Sequence, residues 1–370
     1  MQIRDIASLI ESWAPPSIAW DRDNIGLLVG SPAQKVRRII VALDAGTGVI
    51  REASALRADL IVTHHPLIFR PLARLDPGDR TGGLVATLIR RGMGLYAAHT
   101  NLDFTNGGVS QVLAERLGLD GVAPLSPLPD TRKKIVVFVP ASHAGGVMQA
   151  MAAAGAGRIG NYESCSFASD GVGSFIPGPD ADPYTGRRGS LERAAEVRLE
   201  METPGWKVND VLSAMKSVHP YDEVAFDVYP VEKPDDHRGM GAIGSYPGAL
   251  TPGTFLKRVA RALKARGIRY SGTARRGVRK VAVCGGSGSE LTARAVAAGA
   301  DAFVTADIRY HGFQDHENDI LLVDAGHYET EHPAVSTLAR HLRSRSELSR
   351  NRVKVFESKK GINPVNYFRS

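Results

Sequence analysis

Residues 36–63 read VRRIIVALDAGTGVIREASALRADLIVT, and residues 278–305 read VRKVAVCGGSGSELTARAVAAGADAFVT. The two stretches lie on one another at a constant offset of 242 with no gap, and ten of the 28 positions are identical, among them Val36/Val278, Gly46/Gly288, Asp59/Asp301 and Thr63/Thr305. Each reads as an apolar strand, a helix and a second apolar strand. Continuous apolar strands joined by helices predict a parallel sheet covered on both faces. A gapless match of this length predicts an internal repeat: two related α/β halves in one chain.

Reading outward from the first copy, Ile3, Ile6, Leu9, Ile10 and Trp13 recur at helical spacing until Pro15-Pro16 stops them. Strands follow at Arg38–Leu43, Leu60–Thr63 and Leu95–Ala98, alternating with helices at Val49–Leu56, Gly83–Arg91 and Val109–Leu117. The prolines of Pro124–Arg132 read as a linker. Beyond it the style changes to strand 134–139, helix 146–153, strand 164–168, strand 197–201, helix 208–217 and strand 224–229. Two β-α-β units in this order predict an inserted ferredoxin-like α+β domain. Within it, Gly171–Ser190 is rich in Gly, Pro and Asp and reads as an irregular loop. A second linker is read at Glu232–Gly241. The expected organisation is an N-terminal α/β half over residues 1–127, the insert over 128–236 and a C-terminal α/β half over 237–370.

The bulk composition suits a folded chain: 370 residues, 43% apolar and 23% charged. Cys165 and Cys284 are too few and too far apart for a disulfide framework, so a reducing, cytoplasmic setting is the expectation. The start of the chain has Arg4, Asp5 and Glu11 among its apolar residues and does not read as a signal peptide. No apolar run approaches the roughly 20 residues of a membrane span. The formal net charge is +7, and Lys257–Lys280 holds ten Lys/Arg and no acid. That stretch reads either as a solvated basic helix and turn or as a surface that attracts nucleotides or nucleic acid.

Ligands in open α/β sheets bind beyond the carboxyl ends of strands. In this chain those ends carry His64-His65-Pro66, His99-Thr100-Asn101-Leu102-Asp103, Asp307 to His311, and Asp324 to Glu331. The His64-His65 pair offers one imidazole to each of two neighbouring metals, or is a hydrogen-bonded pair at a turn. Asp103 is a ligand, or it caps the following turn. His327 and Glu331 are four apart, so a helix places them on one face. Three His and two carboxylates together make a mixed N/O set suited to Zn, Mn, Fe(II), Ni or Co. Carboxylates can bridge two such ions and lower the pKa of a water between them. His99 and His311 read as general acids or groups behind the ligands, or as core histidines. Asp44 orients a ligand or caps a helix, and Asp23-Asn24 is a turn or part of the site. Gly285-Gly286-Ser287-Gly288 offers a phosphate cradle without a dinucleotide or P-loop fingerprint. No Ser-His-Asp or Cys nucleophile arrangement is legible, and Cys284 reads as core.

The segments DNIGLLVG, IVTHHPLIF, AAHTNLDF, VTADIRYH and DAGHYETE, in this order, resemble the NIF-three-like dinuclear metal centre protein family, whose bacterial members are labelled GTP cyclohydrolase I type 2 homologues. GNYESCSF and HPYDEVAFDVYP resemble the CutA/PII-like domain inserted in its longer members. The resemblance implies that His64, His65, Asp103, His327 and Glu331 hold two divalent metal ions per subunit. It implies that Asp23, Asn24, His99, Thr100 and His311 surround them, and that subunits form a toroidal homohexamer. Ala306 departs from the pattern, which has Gly before Asp307. The function expected is metal-dependent hydrolysis of a nucleotide-type substrate, GTP ring opening being the specific form. The alternative is a non-catalytic hexameric module that binds metal, nucleic acid or protein.

Overall fold

Apolar strands of four or five residues dominate the layers that carry the candidate ligands, because a strand covered on both faces has no polar side to expose. The structure is a computed structural model and describes residues 1–129, 132–232, 237–274 and 277–368. Asp130 and Thr131 of the first linker reading, residues 233–236 of the second, and Arg275 and Arg276 of the basic stretch lie outside the described residues. The chain divides into two compact units, one formed by Met1–Leu128 with Asp236–Ser370 and the other by Pro129–Asp235.

In chain order the strands are β1 (Gly26–Val29), β2 (Arg38–Ala42), β3 (Leu60–Thr63), β4 (Gly94–Ala97) and β5 (Asp120–Pro127). The middle of the chain supplies β6 (Arg132–Pro140), β7 (Phe167–Phe175), β8 (Glu192–Pro204) and β9 (Phe226–Pro230). The remainder supplies β10 (Gly239–Leu250), β11 (Arg269–Ser271), β12 (Val278–Ser287), β13 (Ala302–Ala306), β14 (Leu321–Asp324) and β15 (Lys354–Glu357). The architecture is mixed α/β, with several sheets and the helices packed on them.

The first unit contains two sheets, ordered β1-β4-β3-β2-β15 and β11-β14-β13-β12-β10-β5. In each, three consecutive strands run parallel, β2-β3-β4 in one and β12-β13-β14 in the other. The same backbone device recurs in both. Asp59 Oδ2 accepts from the N–H groups of Arg37 and Arg38 at 2.7 and 2.8 Å, and Asp301 Oδ2 accepts from those of Arg279 and Lys280 at 2.9 and 2.8 Å. The sheets exchange edge strands. β5 precedes the second unit in sequence yet pairs with β10, whereas β15 comes from the end of the chain and pairs with β2.

This corrects the linker reading of Pro124–Arg132. Pro124 and Pro127 lie on β5, opposite Ala242 and Gly239. β5 is an edge strand with one neighbour, so a proline there removes no ladder hydrogen bond that the sheet requires. The helix Val109–Leu117 ties the two sheets together, with Val109 in the core of the first and Leu113, Ala114 and Leu117 in the core of the second. The helix Ile3–Glu11 buries Ile3, Ile6 and Ile10 on one stripe, as its spacing predicts.

The central strand β3 is buried at every position and leads directly into His64. Ile61→Ala there removes a fully buried side chain between two strands. The expected loss is about 2–5 kcal/mol, read from urea unfolding.

The second unit is a four-stranded antiparallel sheet ordered β7-β8-β6-β9, with the helices Ala141–Ala153 and Val208–Val218 against Ile135, Val137, Leu199 and Met201. Its second strand departs from the sequence expectation. Gly171–Phe175 belongs to β7 rather than to an irregular loop. Small residues there are a packing requirement, since a Cβ at Gly173 would collide with the Glu196 carboxylate on β8.

Candidate metal centre

Four loops at the carboxyl ends of β3, β4, β13 and β14 bring the candidate ligands to one place. His64 and His65 leave β3 with their N–H groups still paired to Ala42 and Leu43, at 3.3 and 3.0 Å. This extends the ladder by two residues and fixes both backbones. The rings stand with centroids 5.0 Å apart. Asp103 sits on the single-turn helix Thr100–Phe104 just after β4. Asp23 holds that turn: it accepts from Thr100 N–H at 3.1 Å and Thr100 Oγ1 at 2.5 Å, and pairs with His99 Nδ1 at 3.0 Å. His327 and Glu331 lie on the single-turn helix that follows β14.

Every imidazole is anchored through Nδ1. His64 Nδ1 meets the Ala98 carbonyl at 2.9 Å, His65 Nδ1 meets Asp44 at 2.9 Å, and His327 Nδ1 meets Asp307 at 2.6 Å. A carboxylate or carbonyl at Nδ1 selects the Nδ1–H tautomer and leaves the Nε2 lone pair free to face the cluster. His65 Nε2 and His327 Nε2 lie 3.4 Å apart, and each is 2.9–3.0 Å from Glu331 Oε2. Donor atoms about 2.0–2.2 Å from one ion, at tetrahedral or octahedral angles, stand roughly 2.8–3.6 Å from each other. The triangle fits that spacing. Glu331 Oε1 turns the other way, 3.8 Å from His64 Nε2, which lies 3.6 Å from Asp103 Oδ1.

The donor set also passes a test of satisfaction. His64 Nε2, Asp103 Oδ1 and Glu331 Oε2 are buried polar atoms with no hydrogen-bond partner. Buried polar atoms are normally paired, because desolvation without compensation costs kilocalories. Three such atoms in one cluster, Glu331 Oε2 on the His65–His327 side and His64 Nε2 with Asp103 Oδ1 on the other, fit bound cations. Among the described residues, two groups of side chains could hold a metal ion: His64, His65 and His99, and His65, His327 and Glu331.

The electrostatics agree. Burial alone would lower the imidazole pKa values, yet Asp44 and Glu331 push His65 up to about 10, and Glu331 and Asp307 push His327 up to about 9. His64 is raised in the same sense, against burial, by Asp103 and Glu331. Burial raises the Glu331 carboxyl, but the imidazoles of His327, His64 and His65 hold it well below the usual range. Burial raises Asp103, and His64 opposes it only in part. The carboxylates therefore create a field that favours positive charge at the centre.

Of the residues singled out in the sequence, His64, His65, Asp103, His327 and Glu331 converge, and His99 stands beside them with its ring 5.1 Å from that of His64. His311 does not join them; it is exposed and contacts Tyr310 and Gln314. Asp44 orients His65 rather than capping a helix, and burial is outweighed there by the His65 imidazole, which lowers its carboxyl. Asp23 is likewise held down to about 2, where burial is outweighed by the hydrogen bonds from His99 and Thr100. Asn24 turns away and donates to the Ile68 carbonyl at 2.5 Å.

The glycine loop is not a phosphate cradle. The N–H groups of Gly285, Gly286 and Gly288 are committed to Ser110, Thr330 and Thr305. Gly286 has φ +63°, and a Cβ there would run into Glu331 Oε1. Asp307 is an orienting carboxylate that no local motif marks. Its signal lay in the repeat, where the offset of 242 places it opposite His65. Asp44→Ala is expected to weaken divalent metal binding by about 10–100-fold without unfolding the chain, as measured by metal titration and circular dichroism.

The family model described as Duf34/NIF3 (NGG1p interacting factor 3) matches residues 1–364. The chain belongs to the DUF34/NIF3 family. It is 38% identical over 366 residues to a Bacillus subtilis protein named GTP cyclohydrolase 1 type 2 homolog, with 98% of each chain covered. A protein of the same name from Halalkalibacterium halodurans is 40% identical over 324 residues, 87% of each chain. The crystal structure of a Bacillus cereus protein related to NIF3 superposes with a TM-score of 0.90 at 38% identity, covering 100% of this chain and 99% of that one. Among the described residues of this DUF34/NIF3 chain, no helix is long and apolar enough to cross a membrane.

Proposed function

We infer that this DUF34/NIF3 chain holds two divalent metal ions with His64, His65, Asp103, His327 and Glu331, and uses them to hydrolyse a nucleotide-type substrate. The observation that carries this reading is the convergence of three imidazole Nε2 atoms and two carboxylates, three of whose buried atoms make no hydrogen bond that meets the geometric criteria. Glu331 faces both halves of the cluster, Oε2 toward His65 and His327 and Oε1 toward His64. A carboxylate so placed can serve two ions. When bound, such ions supply Lewis acidity and a water nucleophile usable at neutral pH. The donor set admits Zn, Mn, Fe, Ni or Co.

The protein's own part is positioning and proton transfer. Asp44 and Asp307 fix the orientation of His65 and His327. Asp23 holds His99 by Nδ1, so its Nε2 faces the reacting region and can pass a proton to a leaving group. The role read for both His99 and His311 is kept for His99, since the contacts of His311 lie elsewhere. The relatives' name, GTP cyclohydrolase 1 type 2 homolog, supports GTP ring opening as the specific reaction; that reaction attacks the purine imidazole carbon and releases formate.

The same reading includes the organisation around the centre. The matched Asp59 and Asp301 hydrogen bonds support two related α/β halves over 1–127 and 237–370. The β7-β8-β6-β9 order supports a ferredoxin-like, CutA/PII-like insert over 128–236. A cytoplasmic toroidal homohexamer, with the basic stretch 257–280 drawing in anionic nucleotides or nucleic acid, completes it.

The test is the purified, metal-loaded chain incubated with GTP and with a phosphodiester, with formate release followed for the first and formation of the phosphomonoester and alcohol for the second. Turnover is expected, and it should vanish in a His64→Ala/Asp103→Ala chain. Metal bound at stoichiometry with no turnover above that control would leave the non-catalytic reading in its place.

A further inference from the structure

The unit Pro129–Asp235 contains a cavity of about 580 Å³, far from trivial for a domain of this size and within the range of small-molecule sites. Its walls are aromatic. Phe138, Phe175, Tyr184 and Tyr221 line it, the Tyr221 ring standing 6.2 Å from Phe175 and 6.0 Å from Tyr184, with His219 behind Tyr221 at 5.1 Å. Into this space β8 places Glu196, which is 8% exposed.

Glu196 is a buried carboxyl group with no ion pair among the described residues, and Arg198 lines the same cavity. Glu196 Oε1 accepts from the Tyr221 hydroxyl at 2.9 Å. The neighbouring cations are committed or neutral. Arg198 Nε donates to Glu200 at 2.9 Å. His219 donates from Nε2 to the Phe138 carbonyl and accepts the Tyr221 N–H at Nδ1, which is the neutral tautomer, and burial lowers its pKa. The remaining charged groups at the walls, Asp170, Asp222 and Glu223, are carboxylates. Gly173 on β7 leaves room for the Glu196 carboxylate where any Cβ would collide with Oε2. A buried carboxylate kept in place with one neutral donor is costly unless a cation completes it.

We propose that this cavity binds a small organic cation, an ammonium or guanidinium group on an apolar or aromatic body, with Glu196 as its charge partner and the Tyr221, Phe175 and Tyr184 rings as its walls. Aromatic faces attract cations and carboxylates give charge-assisted hydrogen bonds, so the two wall types ask for the same ligand. A divalent metal is a poor match, since hard cations take six or more oxygens and this cavity offers one buried carboxylate. The site shares no residue with the metal centre and stands independently of it.

The experiment is calorimetry on the full-length chain with phenethylamine, agmatine and tetramethylammonium, and with 2-phenylethanol as the neutral counterpart. At least one cation is expected to bind saturably at one per chain, while 2-phenylethanol does not bind. Glu196→Gln and Gly173→Ala should each weaken that binding by about 10-fold or more. His65→Ala should leave it unchanged, which separates it from amine ligation at the metal centre. Thermal unfolding adds a readout that a merely structural carboxylate would fail: Glu196→Gln should keep or raise Tm, because it removes an unpaired buried charge. The proposal is overturned by binding of none of the three cations, by undiminished binding in Glu196→Gln, or by a fall in Tm of that variant. A change in assembly mass on Glu196→Gln, seen by light scattering, would also overturn it by making a neighbouring chain the occupant.

Discussion

A Glu331→Gln chain is expected to bind no divalent metal at concentrations that saturate the parent chain. The substitution keeps shape and volume but removes the one carboxylate that faces His65 and His327 through Oε2 and His64 through Oε1. Loss of a residue behind a ligand costs about 10–100-fold in metal affinity, and loss of a ligand shared by both positions should exceed that. The amide also replaces one ligand oxygen by an NH2 group, which cannot ligate a metal ion and donates to the Nε2 lone pairs instead. Metal analysis after dialysis, with circular dichroism to show a folded chain, reads the outcome. Retention of two ions per chain would remove Glu331 from the centre and with it the geometric basis of the proposed function. Asp103→Asn is the informative partner. Asp103 Oδ1 stands 3.6 Å from His64 Nε2, on the side that Glu331 Oε1 faces, so the substitution should weaken one of two binding events more than the other.

The second large effect is expected from one methyl group. Gly286 sits at φ +63°, where an L side chain is strained by about 1–3 kcal/mol. Its backbone cannot relax freely, because its N–H donates to Thr330 Oγ1 and its carbonyl accepts from Thr305 Oγ1, both at 3.0 Å. A Cβ built there overlaps Glu331 Oε1 and comes within 3.3 Å of His327 Cε1. Gly286→Ala should therefore lower stability in urea and abolish metal binding together, although residue 286 is no ligand. Gly248→Ala, where a Cβ meets nothing within 4 Å, is the control and should change neither. Normal metal binding by Gly286→Ala would mean that the Glu331 carboxylate occupies a different position from the one described.

The helix Ile3–Glu11, the strand Leu60–Thr63 and the helix Val109–Leu117 were legible because their signal is local: apolar residues repeat with the period of the element, and prolines or turns end it. The candidate ligands were legible for a related reason. Strand ends in parallel sheets are where side chains of this chemistry collect, and His64, Asp103 and Glu331 all follow apolar strands. The prolines of β5 misled, since a sequence does not say that a strand lies at an edge. Gly173 misled in the same way: its use is to make room for Glu196, a residue 23 positions away in the chain.

The amino-acid order by itself determined the strands and helices whose apolar residues keep a clear period, and that imidazoles and carboxylates stand at the ends of those strands. Packing alone decided the rest: that β15 crosses to the first sheet and β5 to the second, that Asp44 and Asp307 turn His65 and His327, and that Glu331 faces both sides of the cluster. Period and propensity act over a few residues, whereas His65 and His327 are 262 residues apart and reach 3.4 Å only because two buried sheets and the helix between them hold their strand ends together.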